Sequence, residues 1–237
     1  MTTRTLSVKN LMSKRFNTLD LGEDYTPCFG QPSDVGIWLI FGKEKNGKST
    51  FALKLAKQLS KIKKTLYVSA EEGTDLEFIR ACQRAGIDEE DKGLHFIEYE
   101  PLEDLRARLQ RSKSERIVFI DNITVYNDEL KGGVLRELQR ENSRKLFIFI
   151  AHEDSTGGEP ATGSGKLCRK YAKIICHVEG MNVTVSGRCP GGLMSVDEDT
   201  AKIFSPDKQN DYENNEENDT ELADKETAHP VPEQRTE

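Results

Sequence analysis

The chain has 237 residues and a formal net charge of −7, a length that suits one well-buried domain better than two. The acidity belongs to the C-terminal tail, because residues 205–237 carry 11 Asp and Glu against 3 Lys and Arg, which leaves 31 basic and 30 acidic residues in the remainder. The net charge therefore does not exclude a polyanionic partner for the body of the chain.

Composition also restricts the compartment and the chemistry. No stretch approaches the roughly 20 apolar residues that span a bilayer, and the first residues, MTTRTLSVKNLMSKRF, contain no apolar signal region. The five cysteines are odd in number and include no C-x-x-C pair, and the four histidines lack the spacing of zinc ligands. We predict a cytoplasmic protein with reduced thiols and no membrane association.

Three segments are predicted along the chain. Residues 1–35 are poorly periodic and are expected to form an N-terminal arm, and residues 36–204 are expected to form the folded domain. The tail, 205–237, has one aromatic residue and is predicted to be disordered, because it cannot bury enough apolar area to offset its ordering entropy. It is interpreted as a solvated spacer, with a protein-binding or autoinhibitory role as the alternative.

Apolar runs of strand length alternate with helical patterns from Ile37 to about Val185, which is typical of parallel strands joined by crossover helices. The first half predicts strands at 37–41, 65–69 and 94–99, and helices after the glycine-rich loop that follows Phe41, near 75–85 and after Pro101. We therefore predict an α/β fold with a mostly parallel central sheet flanked by helices.

The second half continues this pattern and then changes. Strands are predicted at 116–121 and 145–152, with a basic helix, LRELQREN, between them. The Gly- and Ser-rich stretch 153–166 is predicted to be a mobile loop. The segments AKIICHVEG and MNVTVSGR, with Gly180 near their junction, predict a C-terminal antiparallel hairpin.

The segment GKEKNGKS, Gly42 to Ser49, matches G-x-x-x-x-G-K-[ST] and lies between an apolar strand and an amphipathic helix. In such a P-loop the backbone N–H groups surround phosphate oxygens, the lysine reaches the β- and γ-phosphates, and the hydroxyl ligates Mg²⁺. The sequence thus predicts a site for ATP and Mg²⁺. The predicted nucleotide-binding residues are Gly42, Lys43, Glu44, Lys45, Asn46, Gly47, Lys48, Ser49 and Thr50.

Carboxylates are expected to meet this loop at the carboxyl edge of the sheet. Asp121 ends a buried strand and is predicted to orient Mg²⁺, as a second metal residue beside Ser49. Glu71 and Glu72 follow another strand, and one of them is expected to align or deprotonate the water that attacks the γ-phosphate. Glu71 is the preferred base, and Glu72 remains the alternative.

The chain resembles the RecA-like ATPases, in the branch that contains RadA, KaiC and the DnaB-type helicases. The resemblance covers roughly residues 37–192 and rests on GKEKNGKST, TLYVSAEEGTDLEFIRACQRAGI, RIVFIDN and LFIFIAHED. It implies Glu71 as the catalytic base, Asp121 as the magnesium residue and His152 as the γ-phosphate sensor. As a compact chain it is similar to phage or prophage ATPases of DNA metabolism.

The same resemblance implies a homo-oligomer, a ring or filament with ATP at the subunit junction. A basic residue of the neighbouring copy then contacts the phosphates, and Arg188 matches that position best. The segment VSGRCPGG departs from the family pattern, because Ser186 stands where the family has lysine.

The resemblance also implies that the loops 122–133 and 153–166 face a central channel that binds single-stranded DNA. The cations expected to meet phosphates are Lys131, Lys166, Arg169 and Lys170. Asp128 and Glu129 make the first loop only weakly basic, so a solvated surface is the alternative.

The leading hypothesis is an ATPase whose hydrolysis drives a DNA transaction such as recombination, repair or replication. The alternatives are a P-loop kinase of a small acceptor and an ATP-gated adaptor or helicase loader with slow turnover. A kinase lid usually carries arginine, and residues 153–165 contain none.

Overall fold

A computed structural model describes residues 5–197; the predicted acidic tail lies outside these residues. Within them the strands are β1 (Gly36–Gly42), β2 (Thr65–Ser69), β3 (Leu94–Glu98), β4 (Ile117–Asp121), β5 (Leu146–His152), β6 (Ile174–Glu179), β7 (Asn182–Gly187) and β8 (Gly192–Ser195). The helices are α1 (Val8–Met12), α2 (Thr26–Phe29), α3 (Lys48–Ser60), α4 (Leu76–Arg84), α5 (Leu102–Leu109), α6 (Val134–Glu141) and α7 (Gly163–Tyr171).

The strands form one sheet in the order β3-β2-β4-β5-β1-β6-β7-β8. The first six of these are parallel, and β7 and β8 join antiparallel to β6 and to each other. The predicted α/β class, the mostly parallel sheet and the C-terminal antiparallel hairpin are therefore confirmed. β8 was not predicted and extends the hairpin by one strand.

Two apolar layers cover the central strands. Alternate residues of β1 point to opposite faces, so that Trp38 and Ile40 join one core cluster and Leu39 and Phe41 join the other. All four are at most 2% exposed, and each such side chain contributes about 1.5–3 kcal/mol by leaving water. Burial on both faces explains why the strands are continuous apolar runs.

The predicted N-terminal arm is structured in part. Leu19, Leu21 and Phe29 are at most 1% exposed and belong to the core cluster that contains Trp38. By contrast, α1 contributes no buried residue. No helix in residues 5–197 is long and apolar enough to cross a bilayer.

The prediction of a loop throughout 153–166 is wrong at its C-terminal end, where α7 begins at Gly163. Thr162 caps the helix, since its hydroxyl accepts a hydrogen bond from the Gly165 N–H at 3.1 Å. Burial of Ser164 and Cys168 then holds α7 on the sheet. Glycine and serine have low helix propensity, so tertiary packing overrides the local preference here.

Candidate functional site

The sheet topology brings four of the predicted segments to one edge. In the parallel ladders Gly42 pairs with His152, and Ser69 pairs with Asp121. The carboxyl ends of β2, β4, β5 and β1 are adjacent in that order. The P-loop, Glu71, Asp121 and His152 therefore follow neighbouring strands, at the edge where open α/β sheets bind ligands.

The two P-loop glycines are required by the backbone. Gly47 has φ 95°, in the left-handed region, and a Cβ there would also clash with the Sδ of Met181. A Cβ at Gly42 would clash with the carbonyl oxygen of Val178 in β6. The loop can hold this conformation only with glycine at both positions.

The β6–β7 turn anchors the P-loop from the side. The Oδ1 of Asn46 accepts a hydrogen bond from the Gly180 N–H at 2.8 Å, and its backbone oxygen accepts one from the Met181 N–H at 3.2 Å. The Nδ2 of Asn46 donates to the Glu44 oxygen at 2.9 Å. The motif leaves this position free, so nothing in the sequence marked the anchoring role of Asn46.

Lys48 begins α3 and is only 7% exposed. Its Nζ donates to the Lys43 carbonyl oxygen at 2.6 Å. Burial lowers the pKa of Lys48, and four nearby carboxylates oppose that shift: Asp121, Glu44, Glu71 and Glu153. The ammonium group thus lies among negative charges, with one neutral acceptor.

A buried tyrosine holds Asp121. The Tyr67 hydroxyl donates to Asp121 Oδ2 at 2.6 Å, and the Tyr67 ring stacks on Phe119. Burial raises the pKa of Asp121 to about 6, although the Tyr67 hydrogen bond opposes this, and Glu72 and Glu71 raise it further. Tyr67 was not predicted, because a tyrosine within a buried strand gives no sequence signal of its partner.

Two side chains fix the Glu71 carboxylate. Asn122, 2% exposed, donates from Nδ2 to Glu71 Oε2 at 3.0 Å, and His152 Nε2 lies 3.3 Å from the same oxygen. The Asp121 carbonyl oxygen also accepts the Glu71 N–H at 3.3 Å. Glu72 makes no side-chain hydrogen bond within residues 5–197, so of the two glutamates only Glu71 is held by side-chain contacts.

A second buried carboxylate, Glu153, flanks the P-loop strand. Its N–H donates to the Gly42 oxygen at 3.0 Å, and its side chain is 4% exposed. The carboxylate lies 3.2 Å from His177 Nε2, which makes no hydrogen bond within the described residues. His177 stacks on Phe41 with ring centroids 4.6 Å apart. The only sequence signal for Glu153 was its place directly after His152.

Arg188 lies at the other edge of the sheet. β7 runs antiparallel to β6, so Gly187 pairs with Ile174 at the amino end of β6. The Arg188 N–H donates to the Lys173 oxygen at 2.6 Å. A strand of six residues spans about 20 Å, so this arginine does not join the P-loop of its own chain.

Three of the four predicted channel cations already have carboxylate neighbours. Lys131 pairs with Asp128 at 2.5 Å, Lys166 lies 3.8 Å from Asp154, and Arg169 pairs with Glu159 at 2.8 Å. Lys170 is the exception within residues 5–197. These contacts reduce the positive charge that the two loops present.

No family model and no curated protein matches the chain. Among solved structures, the flagellar accessory protein FlaH of Methanocaldococcus jannaschii is similar, with a TM-score of 0.55, 17% identity, and coverage of 75% of this chain and 91% of FlaH. A second solved structure, an isolated ATPase domain, aligns with a TM-score of 0.49, 15% identity, and coverage of 68% of this chain and 80% of that domain. At such identity the likeness to FlaH establishes the fold alone, and the chain has the predicted RecA-like P-loop fold.

Proposed function

We propose that the protein binds ATP and hydrolyses it in the presence of Mg²⁺, with Glu71 as the general base. The observation that carries this proposal is the fixed carboxylate of Glu71, held by Asn122 and His152 at the edge that also carries the P-loop. The chemistry requires a nucleophile-activating group, a metal residue and a phosphate cradle, and these lie at the carboxyl ends of β2, β4 and β1, at one edge of the sheet.

Phosphate binding follows from the loop and from Lys48. The backbone N–H groups of the P-loop and the amino end of α3 provide positive partial charge for the phosphate oxygens. The Lys48 ammonium exchanges its bond to the Lys43 carbonyl oxygen for bonds to the β- and γ-phosphates. A charged phosphate oxygen is the stronger acceptor, which favours this exchange.

The residues fit a magnesium ion held together with the nucleotide. Ser49 and Asp121 supply one hydroxyl and one carboxylate, and the Tyr67 hydroxyl fixes the orientation of that carboxylate. No group of three or more His, Cys, Asp or Glu within residues 5–197 could hold a metal alone. Mg²⁺ typically takes one or two carboxylates, phosphate oxygens and water, and it neutralises the phosphate charge that develops during transfer.

Glu71 is oriented to accept a proton. Its Oε2 is occupied by Asn122 and His152, while its Oε1 makes no hydrogen bond within the described part of the chain. The free oxygen can accept the proton of the water that attacks the γ-phosphate, and the two partners keep the carboxylate in place. General base catalysis of this kind contributes about 10²–10⁴-fold in rate.

Hydrolysis and nucleotide binding by three variants test the proposal. Lys48→Ala is expected to lose tight ATP binding. Glu71→Gln is expected to bind ATP and to lose about 10²–10⁴-fold in turnover, whereas the matched control Glu72→Gln keeps both properties. Turnover by Glu71→Gln at the wild-type rate would refute the assignment of the base.

We further propose that hydrolysis drives a DNA transaction, in a homo-oligomer in which Arg188 acts on the neighbouring nucleotide. The resemblance to RecA-like ATPases supports this, and the position of Arg188 requires a second copy for any such contact. Hydrolysis measured with and without single-stranded DNA tests the coupling. Phosphate on a nucleotide acceptor would favour the kinase, and slow, unstimulated turnover with nucleotide-dependent assembly would favour the adaptor or loader.

A further inference from the structure

The amino edge of the sheet, opposite the P-loop, carries a row of cations. Lys64, Arg116, Lys145 and Lys173 directly precede β2, β4, β5 and β6. The ladder register places the first three side by side, since Thr65 pairs with Ile117 and Ile117 with Leu146. With strands about 4.8 Å apart, the row from β2 to β6 extends about 19 Å.

Helix α6 and the connections beside it add arginines to this row. A groove of about 480 Å³ is lined by Arg111, Arg116, Arg144 and Lys145, and a second groove of about 340 Å³ is lined by Arg136, Arg140, Lys145 and Lys173. Lys145 and Ser143 line both grooves, so the two grooves are adjacent. We call these seven cations, together with Lys64, the amino-edge surface.

The arginines of the amino-edge surface lack carboxylate partners. No side-chain ion pair within 4.0 Å is formed in residues 5–197 by Arg111, Arg116, Arg136, Arg140 or Arg144. Nearby Arg106 and Arg108 differ, because they pair with Glu141 and Glu100. None of the five guanidinium groups is ion-paired in this part of the chain, although Arg116 donates to the Arg144 carbonyl oxygen at 3.4 Å and Glu141, which lines the first groove, interacts electrostatically with Arg140.

Two of the three lysines of the surface donate their hydrogen bonds to neutral oxygens. Lys145 donates to the Ser114 hydroxyl at 2.7 Å and to the Glu115 carbonyl oxygen at 2.6 Å, and Lys173 donates to the Val35 oxygen at 2.8 Å. Burial lowers the pKa of both lysines and neighbouring arginines lower it further, while Glu115 opposes the shift at Lys145 and Asp34 opposes it at Lys173. Cations crowded in this way repel one another until an anion binds.

The composition of the surface selects the kind of anion. Protein interfaces are depleted of charge at their centre and enriched in aromatic residues, whereas the lining of both grooves contains no aromatic side chain. Single-stranded nucleic acid usually requires aromatic stacking platforms. A cation row without such platforms is instead suited to the closely spaced phosphates of a duplex.

We propose that the amino-edge surface binds the phosphate backbone of duplex DNA. The row of about 19 Å matches five to six base pairs, at roughly 3.4 Å of rise per pair. Binding of this kind does not depend on base sequence, because the contacts are with phosphates. The surface is separate from the nucleotide site and from the loops 122–133 and 153–166, and the inference does not rest on ATP hydrolysis.

Fluorescence anisotropy with a labelled duplex, without nucleotide and over a range of salt, tests the proposal. The variant Arg140→Gln/Arg144→Gln removes two exposed charges from the surface, and Lys9→Gln/Lys14→Gln is the matched control, which removes two exposed charges at α1 that line neither groove. Each phosphate contact contributes about −0.9 to the slope of log binding constant against log salt concentration. The loss of two contacts in the first variant should therefore reduce the magnitude of this slope by about 1.8, and it should lower the affinity at about 0.1 M salt by roughly 60-fold. The control should bind as the wild type does, and both variants should retain ATP binding.

Four results would overturn the proposal. The first is that the wild type shows no salt-dependent binding of duplex, and the second is that only the control variant loses duplex binding. The third is that the wild type binds a single strand of the same length more tightly than the duplex. The fourth is that Arg140→Gln/Arg144→Gln changes the oligomeric state in sedimentation but leaves duplex binding unchanged. The last result would assign the surface to a contact between copies. Lys48→Ala separates this test from the proposed function, because it should lose ATP binding and still bind duplex.

Discussion

Asp121→Asn should make the protein more stable while it abolishes Mg²⁺-dependent hydrolysis. The wild-type carboxylate is partly buried, accepts the Tyr67 hydroxyl at 2.6 Å and has its pKa raised from 3.8 to about 6. Asparagine has nearly the same shape and keeps an acceptor for Tyr67, but it carries no charge. The substitution therefore removes the cost of burying an anion beside Glu71 and Glu72.

The sign and size of the effect follow from proton linkage. Because the folded pKa of Asp121 lies above the unfolded value, the folded state binds more protons between about pH 4 and 6, and stability falls as pH rises through that window. A shift of about two units, at about 1.4 kcal/mol each, amounts to ~3 kcal/mol at pH 7. At pH 5 the linkage relation gives about half of this value.

Urea denaturation of the metal-free protein in EDTA measures the effect. The free energy of unfolding of Asp121→Asn should exceed that of the wild type by ~3 kcal/mol at pH 7 and by about half as much at pH 5. Asp128→Asn is the control, since the Lys131 hydrogen bond lowers the pKa of that exposed carboxylate and its charge is favourable. An Asp121→Asn protein that is no more stable than the wild type at pH 7, or equally stabilised at both pH values, refutes the reasoning.

Three further substitutions test the site. Asn122→Ala should lower kcat with little change in KM for ATP, because it frees the Glu71 carboxylate without touching the P-loop; an unchanged kcat in steady-state assays would contradict this. Asn46→Ala removes the two side-chain hydrogen bonds that position the loop. At roughly 1 kcal/mol net per bond, it should weaken ATP binding about thirtyfold in calorimetry, and wild-type affinity would argue against the anchor. Gly47→Ala should lose ATP binding and lower Tm, since φ is 95° and a Cβ would meet Met181; a wild-type Tm would be inconsistent with that strain.

Sequence patterns predicted the parts of the fold that local chemistry determines. Strands buried on both faces are continuous apolar runs, so β1, β4 and β5 were recognisable. The P-loop glycines are required by backbone conformation and close packing, which is why the motif has a fixed spacing. Asp121 was predictable because it directly follows a buried strand.

The partners of these residues could not be predicted, since they depend on the register between strands. Tyr67 reaches Asp121 because β2 and β4 are adjacent and Tyr67 pairs with Phe119. Asn122 reaches Glu71 across the same ladder. Helix α7 was missed for a different reason, because a Gly-Ser-Gly start is helical only when Thr162 caps it and the core covers its inner face.

The amino-edge surface is subject to the same limit on prediction. Lys64, Arg116, Lys145 and Lys173 are visible in the sequence as single cations before strands, and they are far apart along the chain. Only the parallel arrangement of β2, β4, β5 and β6 brings them to one edge. A charge pattern that is ordinary in sequence thus becomes a row when the sheet forms.

The two edges of the sheet carry charge of opposite sign. The carboxyl edge surrounds Lys48 with Glu44, Glu71, Asp121 and Glu153, whereas the amino edge concentrates lysine and arginine. A nucleotide binds at the carboxyl edge because the P-loop amides and Mg²⁺ neutralise its phosphates. Duplex DNA and ATP should therefore bind the same chain at once without competing, because the DNA phosphates bind at the amino edge and the ATP phosphates bind at the carboxyl edge.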